Sequence, residues 1–213
     1  MSPAGGAIAS DESGQTVQFR FYCNPPKVTA AQLERKPSTT DTDRMAETDQ
    51  TWTDIFESKT SDLREGDSWC LEFHKSLDPE RPDPGWQTYI RNTSARFKCS
   101  KCGRTWPSNR VMVVFHMQLR EGRGVVKVMC FRQNCKKCND APMEKPKINS
   151  ENIDILLENL VEKIRIKCYH EDMGQLERQF ERLVVKSPHE PSHCEACLKG
   201  YCKQGTGAKP PFK

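Results

Sequence analysis

From Cys99 to Cys138 the chain reads CSKCGRTWPSNRVMVVFHMQLREGRGVVKVMCFRQNCKKC, and this stretch sets the fold. It opens on Cys99-Ser-Lys-Cys102-Gly103 and closes on Cys135-Lys-Lys-Cys138. Two thiolates three residues apart grip one face of a tetrahedral ion, and the glycine that follows permits the tight backbone turn around it. Between the pairs, Val111, Val113, Phe115, Met117 and Leu119 alternate along one strand, Glu121-Gly-Arg-Gly124 supplies a turn, and Val125, Val126, Val128, Met129 and Phe131 supply a returning strand. Antiparallel strands of similar length bring their outer ends together, so the hairpin delivers the second pair beside the first. The plan is a zinc ribbon. Cys99, Cys102, Cys135 and Cys138 suffice for one closed four-thiolate site with no coordination position left for catalysis.

A third pair stands at His193-Cys194-Glu-Ala-Cys197, followed by Gly200 and Cys202. Cys194 and Cys197 need two further ligands, for which Cys202, His193, His116 and Cys168 are the candidates, so the chain is expected to hold one or two structural zinc ions. His116 sits on the hairpin face opposite Val111, Val113 and Phe115. It is either a ligand on that side of the sheet or a half-exposed polar residue of an alternating strand. Cys168 closes an apolar helical stripe and reads as core, Cys130 and Cys70 read as small strand residues, and Cys23 falls in the N-terminal arm.

The chain has eleven cysteines among 213 residues. The opening Met-Ser-Pro-Ala-Gly-Gly has neither a basic n-region nor an apolar h-region, so no secretory signal is read there and the pairs point to metal rather than disulfides. The longest strongly apolar run, Val111 to Phe115, is far short of the roughly 20 residues that cross a bilayer. The protein is expected in the cytoplasm, or on the cytosolic face of the endoplasmic reticulum or plasma membrane. A thiol-exchange motif would sit at a strand-to-helix junction, whereas the first pair leads into a hairpin. A Gly-rich phosphate loop, a His-Glu-x-x-His string and a nucleophile elbow are all missing from the sequence, which argues against an enzyme and a small-molecule substrate.

The net charge of +4 hides a segregation. Residues 1–85 sum to −7, residues 86–138 to +11 and the remainder to zero. The middle third is therefore a basic module, serving either as a solvated face or as an anion-binding surface. Trp52, Trp69, Trp86, Trp106, Tyr89 and Phe97 crowd the flanks of the first pair; they read as core, with base stacking beside a basic groove as the rival. Asn92-Thr-Ser94 is taken as a chance match to a glycosylation sequon.

Residues 1–50 are polar, without hydrophobic period, and are expected to form a disordered arm. Order is expected from Thr51, where Trp52, Ile55, Phe56 and Leu63 mark an amphipathic helix. Trp69, Leu71 and Phe73 mark a strand, ended by the proline-rich Asp78 to Gly85. Ser150 is the candidate cap of a helix carrying Ile153, Leu156, Leu157, Leu160, Val161, Ile164 and Cys168 on one stripe. Gln175 to Val185 reads as helix or strand, and residues 204–213 as a flexible basic tail. The expected class is α+β: a small zinc-ribbon-like antiparallel β core with flanking helices, occupying residues 51–203.

Trp52 with Phe56, Trp69 with Leu71, Gly85-Trp86-Gln-x-Tyr89, Phe97-x-Cys99-x-x-Cys102-x-x-x-Trp106-x-Ser108, Phe115-His116, Phe131-x-Gln133-x-Cys135-x-x-Cys138 and Cys194-Glu-Ala-Cys197-x-x-Gly200 together resemble the receptor-transporting protein family and its three-CxxC zinc finger. The resemblance implies a cytosolic accessory protein, or chaperone, that binds G-protein-coupled receptors of the odorant and taste type and promotes their targeting to the plasma membrane. An alternative it also implies is an interferon-linked antiviral role through RNA binding. Members typically end in a transmembrane anchor, whereas this sequence ends at Pro-Pro-Phe-Lys213. Membrane association is therefore expected through a partner, or by an anchor that has been lost.

Overall fold

A computed structural model of the protein describes residues 41–173, 179, 181–184 and 189–202. Residues 1–40 of the expected arm, the expected tail and Cys23 lie outside the described residues. The elements run α1 (Asp41–Thr60), β1 (Ser68–Phe73), β2 (Gln87–Lys98), β3 (Thr105–Arg120), β4 (Arg123–Cys130), α2 (Ser150–Cys168), a 3-10 turn at Pro191–His193 and the one-turn α3 (Glu195–Leu198). Helix α1 thus begins ten residues before Thr51. Of the segment from Gln175 to Val185, the described residues 179 and 181–184 belong to neither helix nor strand.

The four strands form one sheet in the order β1-β4-β3-β2. The expected hairpin is the β3–β4 pair, antiparallel from Val113↔Cys130 to Arg120↔Arg123. On its other side β3 pairs antiparallel with β2 along the whole of β2. Strand β1 adds to the outer edge of β4 in parallel, so the sheet is mostly rather than wholly antiparallel. The reason is the proline-rich link between β1 and β2. It does not turn back on itself but crosses one face of the sheet, where the Leu77 N–H meets Met129 Sδ at 3.1 Å and Asp83 pairs with Lys127 at 3.5 Å.

Alternation along β3 and β4 gives the sheet two apolar faces. Val111, Val113, Phe115, Met117, Val126 and Val128 point to the first, where α1 and α2 cover them with Trp52, Phe56, Ile153, Leu156, Leu157, Leu160 and Ile164, all buried. Full burial of each such aliphatic or aromatic side chain contributes about 1.5–3 kcal/mol. Helix α2 is capped by Asn149 rather than Ser150: the Asn149 carboxamide oxygen accepts the Asn152 N–H, the reach that leaves Ser150 inside the first turn. Cys168 packs against this core, as expected of a stripe-closing thiol. The second face is smaller, with Val114, Met129 and Phe131 packed against Cys194 and Ala196.

Two irregularities place side chains that simple alternation would misplace. Between Thr93↔Val111 and Ala95↔Ser108 the register shifts, with one extra residue on β3. Such a bulge reverses which side chains face inward, and Trp106 thereby turns to the first face and stacks on Phe97 at 5.5 Å between ring centroids. The other is Gly124, paired with Trp69 in the parallel ladder. A Cβ on Gly124 would stand 2.1 Å from Trp69 Cδ2, and the indole is held in place by its N–H bond to the Tyr169 hydroxyl, which donates in turn to Asp67. Gly124→Ala is expected to destabilise the fold by about 1–3 kcal/mol, the cost of overpacking a filled core. A denaturation midpoint unchanged from the parent would refute this.

Candidate metal centre

The first cluster is built by two turns. Strand β2 runs into Cys99 and β3 leaves at Thr105, so the knuckle is the β2–β3 turn itself; it is closed by the Gly103 N–H on the Cys99 carbonyl (2.9 Å) and the Cys99 N–H on the Arg104 carbonyl (2.8 Å). Gly103 has φ +71°, the left-handed region that favours glycine. Across from it, Cys135 and Cys138 lie on a second turn, and the four Sγ atoms all fall within 4.8 Å of one another. Cys99 to Cys138 and Cys102 to Cys135 are each 3.9 Å. Zinc–sulfur bonds of about 2.3 Å in a tetrahedron place sulfurs roughly 3.8 Å apart, so the spacing and the donor set fit zinc.

The surroundings favour a thiolate at one corner. The Lys137 backbone N–H and then the Arg104 guanidinium pull the Cys135 thiol down to about 6, while the Cys102 side chain beside Cys138 pushes that thiol up to about 12. Crowded sulfurs without a cation shed one proton readily and resist losing more, a resistance that a divalent ion removes. By contrast, burial pushes Cys130 up to about 12 and Cys168 up to about 11. Those two thiols stay protonated and behave as small apolar groups.

Strand β4 stops opposite Val113, yet the chain must continue to Cys135. Gln133 carries it there: its Oε1 accepts the Trp106 indole N–H at 2.9 Å, its Nε2 donates to Ser108 Oγ at 3.1 Å, and its backbone bridges to Glu144 and to Cys194. Gln133 thus holds this segment to β3, and the backbones of Arg132 and Asn134 on either side of it bond Glu195 and His193, tying the first cluster to the second.

The second cluster gathers His189, Cys194 and Cys197 within 4.8 Å. His189 Nε2 is 3.0 Å from Cys197 Sγ and 3.9 Å from Cys202 Sγ. Helix α3 holds Cys197 one turn from Cys194, and the chain then bends through Gly200 (φ +79°) so that the Tyr201 and Cys202 N–H groups both reach the Ala196 carbonyl. Cys202 thus returns to the edge of the cluster, beside His189 but outside the three donors that lie within 4.8 Å of one another.

A three-CxxC zinc-ribbon family, described as a zinc-binding domain, matches residues 92–200. The chain is 36% identical over 167 residues to mouse receptor-transporting protein 3, covering 75% of this chain and 35% of that protein. It is 34% identical over 152 residues to mouse receptor-transporting protein 2, covering 70% of this chain and 68% of that one. The chain belongs to the receptor-transporting protein family. It spans about a third of the first of these relatives and about two thirds of the second. Human receptor-transporting protein 4 is 29% identical over 163 residues, covering 73% of this chain and 65% of that protein. No solved structure matches the chain.

Like its family's domain, this chain has structural zinc as its cofactor, with two donor clusters to receive it. Of the residues singled out in the sequence, Cys99, Cys102, Cys135 and Cys138 come together, as do Cys194 and Cys197 with Cys202 at their edge. His193, His116 and Cys168 are in neither cluster. The His193 Nδ1–H donates instead to Asn134 Oδ1 at 2.8 Å. His116 is buried beneath the crossing link and only 3% exposed, and burial holds its pKa below the usual imidazole value, so it stays neutral in the sheet. The donor that sequence reasoning missed is His189. Its signal was present in the spacing His189-x4-Cys194-x2-Cys197-x4-Cys202, symmetrical about the third pair.

In this family member most of the crowded aromatics are core, with Trp106 partly buried against it, but Trp86 is half-buried and belongs to neither core cluster. Trp52 and Phe97 are each 2% exposed and Trp69 9%, and the Trp86 ring lies beneath the Lys127 ammonium at 4.0 Å. Among the described residues no helix is long and apolar enough to cross a membrane.

Proposed function

We propose that Cys99, Cys102, Cys135 and Cys138 bind one zinc ion, that His189, Cys194, Cys197 and Cys202 bind a second, and that the domain so stapled is an accessory protein for membrane receptors. In this reading it engages cytosolic parts of G-protein-coupled receptors and promotes their delivery to the plasma membrane. What carries the reading is similarity to receptor-transporting proteins over 70% or more of this chain, with every paired cysteine placed in a donor cluster. The charge supports it: residues 86–138 sum to +11 before metal is counted, and a zinc held by four thiolates takes only about two charges from that, leaving a basic module suited to acidic receptor segments or an anionic inner leaflet. The reading is non-catalytic, since four protein donors around each ion leave no position for substrate.

The test is co-expression with a poorly trafficked odorant-type or taste-type receptor, scoring receptor on intact cells by surface labelling. Surface receptor is expected to rise with the parent chain and to return to the receptor-alone level with Cys135→Ser. An unchanged surface level together with no co-precipitation would defeat the proposal. RNA recognition by stacking is less well supported, because Trp106 is covered by Phe97 and Arg104 and the half-buried Trp86 ring carries the Lys127 ammonium.

A further inference from the structure

A cleft of about 780 Å³ is lined by His189 of the second cluster and by Arg104, Asn134 and Lys136, near neighbours in sequence of the first cluster's cysteines. One wall is the first part of β3, Thr105 to Arg110, and the other is formed by Asn134, Lys136 and the chain from His189 to His193. Its volume lies toward the upper end of the roughly 300–1,000 Å³ typical of ligand clefts. We propose that this cleft binds an extended acidic peptide segment of a partner protein.

Charge is the first reason. Arg104, Arg110, Lys136 and Arg182 line the cleft against a single carboxylate, Glu190. Glu190 is held by Lys136 at 2.8 Å, and Arg104 is turned to the Cys135 sulfur at 3.9 Å. Arg110 is exposed, with no acidic partner among the described residues, and Arg182, also exposed, adds its charge to the same lining. A guanidinium placed as Arg110 is favours a carboxylate, which it binds through two parallel hydrogen bonds.

Backbone is the second reason. Strand β3 is paired with β2 along Thr105–Arg110, but β4 pairs with it only from Val113 onward. The other edge of Thr105–Arg110 therefore has no ladder partner among the described residues; it is met only by side-chain bonds such as Asn109 to the Leu183 backbone at 2.8 Å. An open strand edge is a template for an extended chain.

The third reason sets peptide above nucleic acid. Single strands bind through free aromatic faces, and Trp106, the aromatic residue of this cleft, offers none. Phe97 stacks on it at 5.5 Å, Arg104 lies over it at 5.6 Å, and Gln133 takes its indole N–H.

The inference rests on the receptor reading only for which protein supplies the peptide. Fluorescence anisotropy of a labelled oligoglutamate on the zinc-loaded full chain tests it, with a single-stranded RNA oligonucleotide and inorganic phosphate as competitors. Arg110→Glu with Arg182→Glu is expected to weaken peptide binding about tenfold or more. Arg120→Glu with Arg123→Glu, the same charge change at the far end of the hairpin, is expected to leave it nearly unchanged. Zinc content per chain verifies folding, and the pair Arg110→Ala with Arg182→Ala replaces the reversals if they lose metal. Equal weakening by both pairs, absence of peptide binding, or displacement of the peptide by RNA at lower concentration than by unlabelled oligoglutamate would overturn the proposal. No receptor is present in this assay, so its failure beside intact receptor delivery removes the cleft alone, and the converse removes the receptor reading alone.

Discussion

Stripping zinc with a strong chelator is expected to abolish the cooperative melt of residues 86–202 and most of their strand signal in circular dichroism. Structural zinc supplies on the order of 10 kcal/mol of folding free energy, against total stabilities of about 5–15 kcal/mol for ordinary domains. The first-face core is sizeable, but its sheet is finished at the metal end by the knuckle at Cys99–Gly103 and by the segment from Phe131 to Cys138, which is not part of any ladder. Without the cation, the four sulfurs of the first cluster would sit within 4.8 Å of one another with nothing to hold them. Loss of that closure frees Gln133, and with it the bond to the Trp106 indole and the bridge to Cys194. Cys135→Ser is expected to act in the same direction, because it leaves the first site with three sulfurs. A chelated chain that keeps its spectrum and a sharp thermal transition would contradict the structural role of the metal.

Much of this was legible from residue spacing, and the failures have identifiable causes. Strands β3 and β4 were plain because valines and large apolar residues alternate there without interruption. Strand β2 was not, because its inward positions include Arg91, Thr93 and Ala95 between Tyr89 and Phe97, and small or polar residues mask the period of two. The parallel placement of β1 could not be read locally, since it depends on where the proline-rich link crosses the sheet. Trp106 shows the same limit on a smaller scale: a single extra residue in β3 reverses the facing of everything before it. The cysteines of the first cluster were legible as a set, but the hairpin alone does not join them: its ladder ends at Val113↔Cys130 and the segment through Gln133 covers the rest. The second cluster was legible only in its cysteines. Of two histidines near the third pair, His193 is adjacent in sequence, but His189, four residues earlier, is the one that stands in the cluster. His193 is drawn off by Asn134, a partner 59 residues away that no local pattern announces.

His189 therefore separates the two ways of completing the second cluster. His189→Ala is expected to lower bound zinc from about two ions per chain to about one, because a site left with three thiol donors loses its closed tetrahedron. His193→Ala and His116→Ala are expected to keep about two. His189→Cys is expected to retain the metal, since a fourth sulfur also suits tetrahedral zinc. The structural consequence follows from the packing. Cys194 and Ala196 are buried against Val114, Met129 and Phe131, and Tyr201 meets Phe131 edge-on at 5.9 Å. Releasing residues 189–202 exposes that smaller face while the helix-covered face stays packed. A His189→Ala chain should therefore bind a hydrophobic dye more strongly than the parent and melt earlier, yet keep the signal of α1 and α2. Metal analysis by mass spectrometry under native conditions reads the stoichiometry directly. Two ions retained in His189→Ala, or one lost in His193→Ala, would reassign the site.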